Sequence, residues 1–319
     1  MNDTGSIGGV ESVSVLVPCL NDADTIAGFL CELRRTLDIL QQPSEIIVID
    51  RGSTDDTVAL AQKHGAQVLV CKEYSYGRAL KAGIQACVGD YVITMHPDLS
   101  HNPAVVRELV LRRREADVLV ASRYIHSGYA WMPMVRLLLS RTLNRLLSFV
   151  LGMPFRDMTS SFRLYRRAAL NAMEMQGDGY ALLLEILVRL YSSGCRVLEI
   201  PFHYWAPSTG YKWPVAVRLA CDYLRTLLAM WRLRNSIESA DYDERAFDSR
   251  IPLQRYWQRK RYRTVVSMVN HASTILDVGC GSSKILDALP QSVALDLRTE
   301  KLRYKKTAAR KSICASVLA

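Results

Sequence analysis

Two aspartates in polar turns are the residues of this sequence best suited to chemistry. Asp50 follows the apolar run 45–49, and Asp98 comes soon after the run 90–95. Carboxylates at the ends of parallel strands can hydrogen-bond a ribose or a base, and they can hold a divalent cation between phosphates. Aspartate is also a common turn residue, so each one alone is weak evidence for a site. Their meaning depends on the elements that position them.

The N-terminal part of the chain alternates between short β-branched runs and helical patterns. Strands are predicted at 13–17, 45–49, 67–70, 90–95 and 117–121, and helices at 24–40, 54–64, 77–88 and 103–115. This alternation predicts an α/β fold with a doubly wound, mainly parallel sheet, whose ligands lie beyond the carboxyl ends of the strands. The polar turns at 18–22, 50–53 and 96–98 would then share one edge of the sheet.

Two amphipathic helices are predicted further along, at 133–151 and 214–234. Their apolar stripes consist of Leu139, Leu143, Leu146 and Val150 in the first helix and Val217, Cys221, Leu224, Leu228 and Trp231 in the second. Arginines flank both stripes, as expected of amphipathic helices with a basic face. Two interpretations are open. Either the helices pack on the sheet with their arginines in water, or they lie in the headgroup layer of an anionic bilayer.

The composition is that of an ordinary globular protein. Of 319 residues, 49% are hydrophobic and 23% are charged, which excludes a disordered or collagen-like chain. No uncharged stretch reaches the ~18 residues of a membrane span, and no signal-peptide pattern opens the chain, so we expect neither. The eight cysteines form no CxxC pair, which favours a reducing, cytoplasmic compartment over disulfides or a zinc site.

The formal net charge of +10 bears on the choice of partner. No basic run is interleaved with aromatic residues, so nucleic acid is not expected. An anionic membrane surface is the better candidate, because excess positive charge is attracted to it. We therefore expect a cytoplasmic protein that binds peripherally to the inner face of a membrane.

The C-terminal part of the chain has a different pattern. Residues 235–255 are polar and rich in acids, which predicts a linker. A basic helix follows, and then the run ILDVGCGSSKIL within the segment 256–319, with a second strand that ends near Asp296. A strand, a glycine turn, a helix and a second strand form a nucleotide-type βαβ unit, similar to a partial Rossmann fold.

Seven segments together resemble one known family, the family 2 glycosyltransferases of GT-A fold. They are VSVLVPCLND, EIIVIDRGSTDDT, SYGRALKAGIQACVGDYVITMHPDLSHNP, ASRY, DMTSSFRLYRRAAL, GYALLLEIL and EIPFHY. They are most similar to the branch of dolichyl-phosphate mannosyltransferases and polyprenyl-phosphate glycosyltransferases. The resemblance covers roughly residues 12–234 and implies a GT-A domain at 1–234. It implies an enzyme that transfers a sugar, with inversion, from a UDP- or GDP-linked nucleotide sugar to a polyprenyl phosphate.

The resemblance also implies a donor side and a catalytic centre. Four residues would contact the donor nucleotide: Pro18, Asn21, Asp22 and Asp50. Asp98 would be the surviving acid of the metal-binding Asp-x-Asp signature, and His96 stands at its first position, so these two would hold Mn²⁺ or Mg²⁺. Arg123 and Arg136 would join Asp98 as catalytic residues, facing the donor diphosphate and the acceptor phosphate.

The acceptor side and the departures from the family pattern complete this hypothesis. Asp157, in the turn 157–163, and Glu185 would line the acceptor side, although capping or ion pairing explains them equally well. Lys212 would bind substrate, while the arginine that usually follows EIPFHY is missing and Arg51 replaces an acid. These departures leave open a non-catalytic member that binds a nucleotide sugar, a lipid or a partner. The oligomeric state stays open.

The implied reaction suits these residue types. A prenyl phosphate has a second pKa of ~6, so the nucleophile is already an anion at neutral pH and needs no general base. It needs cations that bring two anionic substrates together and stabilise the leaving diphosphate. Arginine is suited to this because its planar fork binds two phosphate oxygens at once.

The glycine turn near the C-terminus resembles motif I of class I S-adenosylmethionine-dependent methyltransferases. Gly279 and Gly281 would let the backbone approach the cofactor, and Asp296 would bind its ribose hydroxyls. The segment 256–319 is shorter than a doubly wound domain, so we expect an incomplete domain that binds S-adenosylmethionine only if completed. A third hypothesis therefore places the main activity of the intact polypeptide in methylation.

Overall fold

The computed structural model describes residues 11–72, 75–98, 100–206, 213–269, 272, 274–305 and 311–315, with the backbone alone at 213–219. Lys212 lies outside these residues. The chain divides into two compact units. Unit 1 comprises Met1–Leu187 and Val197–Leu228, and unit 2 comprises Val188–Arg196 and Ala229–Ala319.

A seven-stranded sheet forms the centre of unit 1. Its strands are β1 (Val13–Cys19), β2 (Ser44–Asp50), β3 (Gln67–Val70), β4 (Tyr91–Thr94), β5 (Val118–Ser122), β7 (Arg163–Arg166) and β8 (Val197–Pro201). They follow the order β3-β2-β1-β4-β7-β5-β8. All neighbours are parallel except β7, which is antiparallel to β4 and β5. The mainly parallel α/β sheet expected from the sequence is confirmed.

Strand β1 is buried along its whole length because strands flank it on both sides. The chain leaves β1 toward β2 in one direction and returns on its other side at β4. The order of strands therefore reverses between β1 and β4, which is where open α/β sheets bind ligands. Pro18 at the end of β1 and His96 just past β4 lie at this edge.

Helices cover the sheet through apolar stripes of helical period. They are α1 (Ala23–Leu40), α2 (Thr57–Lys63), α3 (Tyr76–Ala86), α4 (Val105–Leu111), α6 (Arg167–Asn171) and α7 (Leu182–Ser192). Helix α1 shows the principle: it buries Ile26, Phe29, Leu30, Leu33 and Leu37 in the main core. Burial of such side chains is worth roughly 1.5–3 kcal/mol each.

Helix α5 (Met134–Leu151) matches the predicted helix 133–151 but does not bury its apolar stripe. Its buried residues are Asn144, Leu147 and Leu151. Leu139 is 67% exposed and Leu146 is 50% exposed. The interpretation in which this stripe packs on the sheet therefore does not hold for α5.

Helix α8 (Trp213–Arg234), predicted at 214–234, is exposed in the same way at Leu224, Leu228 and Trp231. A two-stranded sheet of β6 (Tyr129–Trp131) and β9 (His203–Trp205) adds exposed Tyr129, Trp131 and Trp205. Among the described residues no helix is both long and apolar enough to cross a bilayer.

Unit 2 contains α9 (Tyr242–Phe247), α10 (Pro252–Val269), α11 (Ile285–Ala288) and α12 (Thr299–Tyr304). Its parallel sheet has the order β10-β11-β12, formed by Ile275–Val278, Ser292–Asp296 and Ser312–Cys314. Part of the predicted linker 235–255 is folded here. Arg234 Nη1 donates to Asp241 Oδ1 at 2.6 Å, and both side chains are buried. The amino-acid composition of the segment, from which a linker was predicted, does not reveal such an ion pair.

Candidate active site

A cavity of about 440 Å³ opens at the carboxyl ends of β1, β2 and β4 in unit 1. Six of the predicted site residues line it: Pro18, Asp22, His96, Asp98, Arg123 and Arg136. The cavity also has lining residues that the sequence did not single out as ligands, among them Arg51, Tyr76, His101, Tyr180 and Tyr204. The structure thus brings two of the predicted acids, Asp22 and Asp98, and both predicted arginines into one space.

Four other predicted residues, Asn21, Asp50, Asp157 and Glu185, are not among those that line the cavity. Asn21 Oδ1 accepts a hydrogen bond from Thr54 N at 2.8 Å. Glu185 accepts hydrogen bonds from the backbone N–H groups of residues 176 and 177, at 2.9 and 2.7 Å. The carboxylates of Asp50 and Asp157 likewise accept hydrogen bonds from groups of the protein.

Asp50 shapes the turn that follows β2. Its carboxylate is 1% exposed and accepts hydrogen bonds from Gly52 N and Ser53 N, each at 3.0 Å. Gly52 has φ +101°, a conformation that residues with a side chain rarely adopt. The turn leaves the Arg51 side chain in the cavity wall. Asp50 therefore acts on the site through the turn.

Asp157 fixes the guanidinium of Arg123 in a bidentate ion pair. Arg123 Nε donates to Asp157 Oδ2 and Nη2 donates to Oδ1, both at 2.7 Å. Burial alone would raise the pKa of Asp157, but Arg123 outweighs it and holds that pKa below its ordinary value. Arg123 also lies over the rings of Tyr124 and Tyr204, 5.0 and 5.4 Å from their centroids. This arginine is rigid and already partly neutralised.

Asp98 lies in the sequence between two histidines, His96 and His101, that contact each other. His96 N donates to His101 Nδ1 at 2.9 Å, and the His101 ring stacks on Phe162 with centroids 5.0 Å apart. Burial, together with the nearby His96 and Arg123, holds the pKa of His101 well below its ordinary value. His101 is therefore neutral, with Nδ1 as acceptor. The spacing of two histidines around Asp98 was the only available hint of this arrangement.

Three groups surround Asp98 in the cavity: Asp22, His96 and Ser100. Burial raises the pKa of Asp22, and the charge of Asp98 raises it further. Burial lowers the pKa of His96, whose side chain hydrogen-bonds to the carbonyl of Pro18 while Asp98 opposes the shift. His96 is thus a neutral imidazole close to a carboxylate. Asp98 Oδ1 accepts hydrogen bonds from Ser100 N and Oγ.

This donor set fits a divalent cation that binds together with a phosphate. In the part of the chain that the structure describes, no three His, Cys, Asp or Glu residues form a cluster able to hold a metal alone. Mg²⁺ in phosphate sites commonly uses only one or two carboxylates, with substrate oxygens and waters completing the shell. His96 and Asp98 are a suitable pair for this, with histidine favouring Mn²⁺.

Arg136 and Arg51 are the cations of the cavity without a carboxylate partner among the described residues. Arg136 lies in the first turn of α5, and its Nη2 donates to the Tyr204 hydroxyl at 3.4 Å. Arg51 Nε is buried and has no hydrogen-bond partner. Guanidinium groups of this kind are ready to bind phosphate oxygens.

Two tyrosines form an aromatic wall beside Arg51. Tyr76 and Tyr180 stack with centroids 4.2 Å apart and an interplanar angle of 14°. Tyr180 belongs to the loop before α7, which contacts α3 so closely that a Cβ on Gly77 would lie 2.5 Å from the Asp178 carbonyl carbon. Sequence reasoning missed both rings because the contact exists only in the folded chain.

The glycine turn of unit 2 is occupied by side chains of the same unit. Asp296 Oδ2 accepts a hydrogen bond from Gly281 N at 2.8 Å, and Oδ1 accepts one from Arg298 N at 2.9 Å. A Cβ on Gly281 would lie 2.3 Å from the Asp243 carboxylate. No such atom approaches Gly279 within 4 Å. The carboxylate expected to bind a ribose is therefore bound to backbone.

Comparison with known sequences gives consistent results. Residues 14–173 match the family described as Glycosyl transferase family 2. An uncharacterised glycosyltransferase of Mycobacterium tuberculosis is 30% identical over 224 residues, which cover 70% of this chain and 98% of the relative. Glycosyltransferase AglJ of Haloferax volcanii is 26% identical over 63% of this chain, and the match spans 65% of AglJ, just under two thirds.

Solved structures show the same fold. Glucosyl-3-phosphoglycerate synthase from Mycobacterium tuberculosis, in complex with Mn²⁺, UDP and glucosyl-3-phosphoglycerate, superposes with a TM-score of 0.56 at 22% identity. The match covers 70% of this chain and 80% of that structure. A second structure of that synthase, with Mg²⁺ and UDP, gives a TM-score of 0.57 at 21% identity. At this identity the similarity establishes the fold.

Proposed function

Since this chain belongs to glycosyl transferase family 2 and is a glycosyltransferase, we propose that it transfers a sugar from a UDP- or GDP-linked donor to a polyprenyl phosphate. One observation carries the proposal. Helix α5 presents to the cavity an Arg136 that has no carboxylate partner within the described ranges, and it presents an apolar stripe to the solvent. A phosphate with a long hydrocarbon tail is the acceptor that matches both faces of such a helix.

The donor would bind across the point where the strand order reverses. Ligands of doubly wound sheets bind in the crevice outside the carboxyl ends of the strands at this point, where Asp22 and Arg51 line the cavity. The diphosphate would then lie near Asp98, at the end of β4. Bound Mn²⁺ or Mg²⁺ would be held there by Asp98 and His96 and would neutralise charge on the leaving diphosphate. The presence of these ions with UDP in the structures of the synthase supports this assignment.

The acceptor phosphate would bind near Arg136 and Tyr204. Its attack on the anomeric carbon needs no general base, because the phosphate is already an anion at neutral pH. Arg136 would hold the nucleophile in line with the departing diphosphate, which supplies the proximity part of the rate enhancement. A single displacement of this kind inverts the anomeric configuration. Arg123, pinned by Asp157, would keep the shape of the cavity between the two anions.

A membrane location follows from the same proposal. The exposed stripe of α5, exposed Leu224 and Trp231 of α8, and arginines beside them suit insertion into the headgroup layer. Trp and Tyr side chains, as on β6 and β9, are preferred at that depth. We propose peripheral binding at the inner, cytoplasmic face of the membrane.

The second candidate acceptor is a small anion such as phosphoglycerate, which the synthase binds in its structures. The purified protein should therefore be incubated with UDP- and GDP-sugars, Mn²⁺ and either a polyprenyl phosphate in mixed micelles or phosphoglycerate. We expect sugar-lipid and no sugar-phosphoglycerate. Transfer to phosphoglycerate alone would contradict the lipid acceptor, and nucleotide binding without any transfer would indicate a non-catalytic family member.

Three variants make this assay specific for the site. Asp98→Asn should reduce transfer at least a hundredfold, because it removes the negative charge that we propose to contact the cation. Arg136→Gln should raise the KM for the lipid phosphate more than the KM for the donor. Arg35→Gln, on the exposed surface of α1, should leave both constants unchanged.

A further inference from the structure

Arg51 is the most unusual side chain of the cavity. It lines the cavity wall at the end of β2, and its Nε is buried without a hydrogen-bond partner. No ion pair with Arg51 occurs in the described parts of the chain. A buried donor without a partner is costly in a folded protein. The arginine is therefore poised for an acceptor that arrives from outside.

The position of Arg51 relates it to the cation site. Its charge acts on both Asp22 and His96, since it lowers the pKa of each. The guanidinium lies over the ring of Tyr76, with Arg51 Cζ 5.9 Å from the ring centroid. Asp50, the adjacent acid, is fully engaged with its own turn. The free donors of Arg51 therefore lie in the same space as His96, Asp98 and the proposed diphosphate.

We propose that Arg51 is a built-in counter-charge for the donor diphosphate, so that its guanidinium and the divalent cation neutralise the same phosphate oxygens. This inference rests on the proposed use of a nucleoside diphosphate sugar. The physical consequence is a negative coupling: each positive charge weakens the contribution of the other, because both act on one anion and repel each other. Nucleotide binding should therefore survive removal of the cation.

A thermodynamic cycle of metal and side chain tests the proposal. The affinities of wild type and Arg51→Met for UDP and for GDP would be measured by calorimetry, once with Mn²⁺ and once with EDTA. We expect the wild type to bind in EDTA within about tenfold of its affinity in Mn²⁺. The substitution should weaken binding about tenfold or more in EDTA, the range for a bond to a charged group, and clearly less in Mn²⁺.

Controls separate this role from its alternatives. Arg51→Lys keeps the charge and should retain much of the binding in EDTA, whereas Arg35→Met, on the surface of α1, should change nothing. If a lowered melting temperature shows that Arg51→Met is destabilised, Arg51→Gln provides the same comparison. Uridine and guanosine, which lack phosphates, should bind equally well to wild type and variant.

Three results would overturn the proposal. They are a wild type that binds neither nucleotide in EDTA, an equal loss of affinity in both conditions, and weaker binding of the free nucleosides to the variant. The last would assign Arg51 to the base. Because no acceptor is present in these titrations, they are independent of the transfer assay. Sugar-lipid synthesis in Mn²⁺ together with any of these results would leave the proposed function intact.

Discussion

At the scale of single residues, the three arginines of the cavity differ in what already binds them. Arg123 is neutralised by a buried carboxylate, while Arg51 and Arg136 have no such partner among the described residues. A guanidinium that is held by a carboxylate of the protein preserves the geometry of the cavity. One without such a partner can form an ion pair with an anionic substrate. This difference separates the positioning arginine from the two that we assign to substrate phosphates.

His101 gives a prediction about pH. Its pKa is held well below the ordinary value in the folded protein, but returns to about 6.5 on unfolding. The unfolded chain therefore binds more protons below that pH, so stability falls as the pH is lowered through it. We expect the melting temperature of wild type to drop between pH 7 and pH 5, and that of His101→Phe to drop less.

His96 should account for part of the pH dependence that remains in His101→Phe. The pKa of His96 is lowered in the same direction, so His101→Phe should retain part of the pH dependence. His126→Phe removes an exposed imidazole and should follow the wild-type curve. An unchanged slope in His101→Phe would mean that this histidine accepts a proton in the folded state.

The sequence predicted the polar residues of the site better than its aromatic ones. Acids in the turns after strands are recognisable because parallel strands bring their ends together, and Asp22 and Asp98 do line the cavity. Arg123, which also lines it, was implied only by the family resemblance. Tyr76 and Tyr180 are 104 positions apart in the printed sequence and meet only by packing. The hydrogen bonds from backbone N–H groups to Asp50 and Glu185 could not be predicted either, because every residue except proline offers such a group.

At the scale of elements, the tight contact between α3 and the loop before α7 positions the aromatic wall. Gly77 N donates to Asp178 O at 2.8 Å, and Lys81 Nζ lies 2.7 Å from Asp178 Oδ1. These contacts hold α3 and the loop before α7 together.

Gly77→Ala should disrupt this contact. The new Cβ would meet backbone atoms of residues 178 and 179 at 2.5–2.8 Å, and backbone cannot yield cheaply. The loop and Tyr180 would shift, and we expect nucleotide affinity to fall at least tenfold with little change in secondary structure. Gly28→Ala on α1 is the matched control, because no atom lies within 4 Å of its added Cβ. Equal affinities for the two variants would remove the aromatic wall from the donor site.

Helix α5 gives a prediction about lipid binding. Three exposed arginines, Arg141, Arg145 and Arg225, flank the apolar stripes of α5 and α8. Each basic residue near an anionic surface contributes ~1 kcal/mol, so replacing all three by Gln should weaken binding to anionic liposomes by roughly a hundredfold. Flotation at low salt measures this. Replacing Arg35, Lys63 and Arg107 by Gln is the charge-matched control, and equal flotation of both variants would contradict the interfacial role.

Strands were predictable where the sequence has a short apolar, β-branched run. The five predicted strands contain near-continuous apolar runs and are all present as β1 to β5. Strands β6 to β9 were not predicted. Among them, β7 has only four residues and begins and ends with arginine, so it lacks an apolar run. Arg163 is nonetheless fully buried, and its Nη2 donates to Met158 O at 2.8 Å. Tertiary hydrogen bonds, which no local pattern encodes, make that strand possible.

At the scale of the whole molecule, unit 2 depends on a buried charge pair for its stability. Arg234 donates to both oxygens of Asp241 at 2.6 Å. Asp241→Ala would remove the carboxylate that pairs with this buried guanidinium, and breaking a buried ion pair in this way costs about 3–5 kcal/mol. We expect the urea midpoint for the unfolding of unit 2 to fall accordingly. Glu238 is three residues away and exposed, so Glu238→Ala should leave that midpoint almost unchanged. An unshifted transition in Asp241→Ala would make 235–255 the linker that its composition predicts.

The two faces of α5 have a kinetic consequence for the whole enzyme. The helix is rigid and about 27 Å long, and it carries Arg136 in its first turn and the apolar stripe along its length. If the stripe rests on the bilayer, the acceptor reaches Arg136 by lateral diffusion and never leaves the lipid phase. Velocity would then follow the mole fraction of acceptor among the lipids. Adding inert lipid at a constant amount of acceptor would slow the reaction by surface dilution alone.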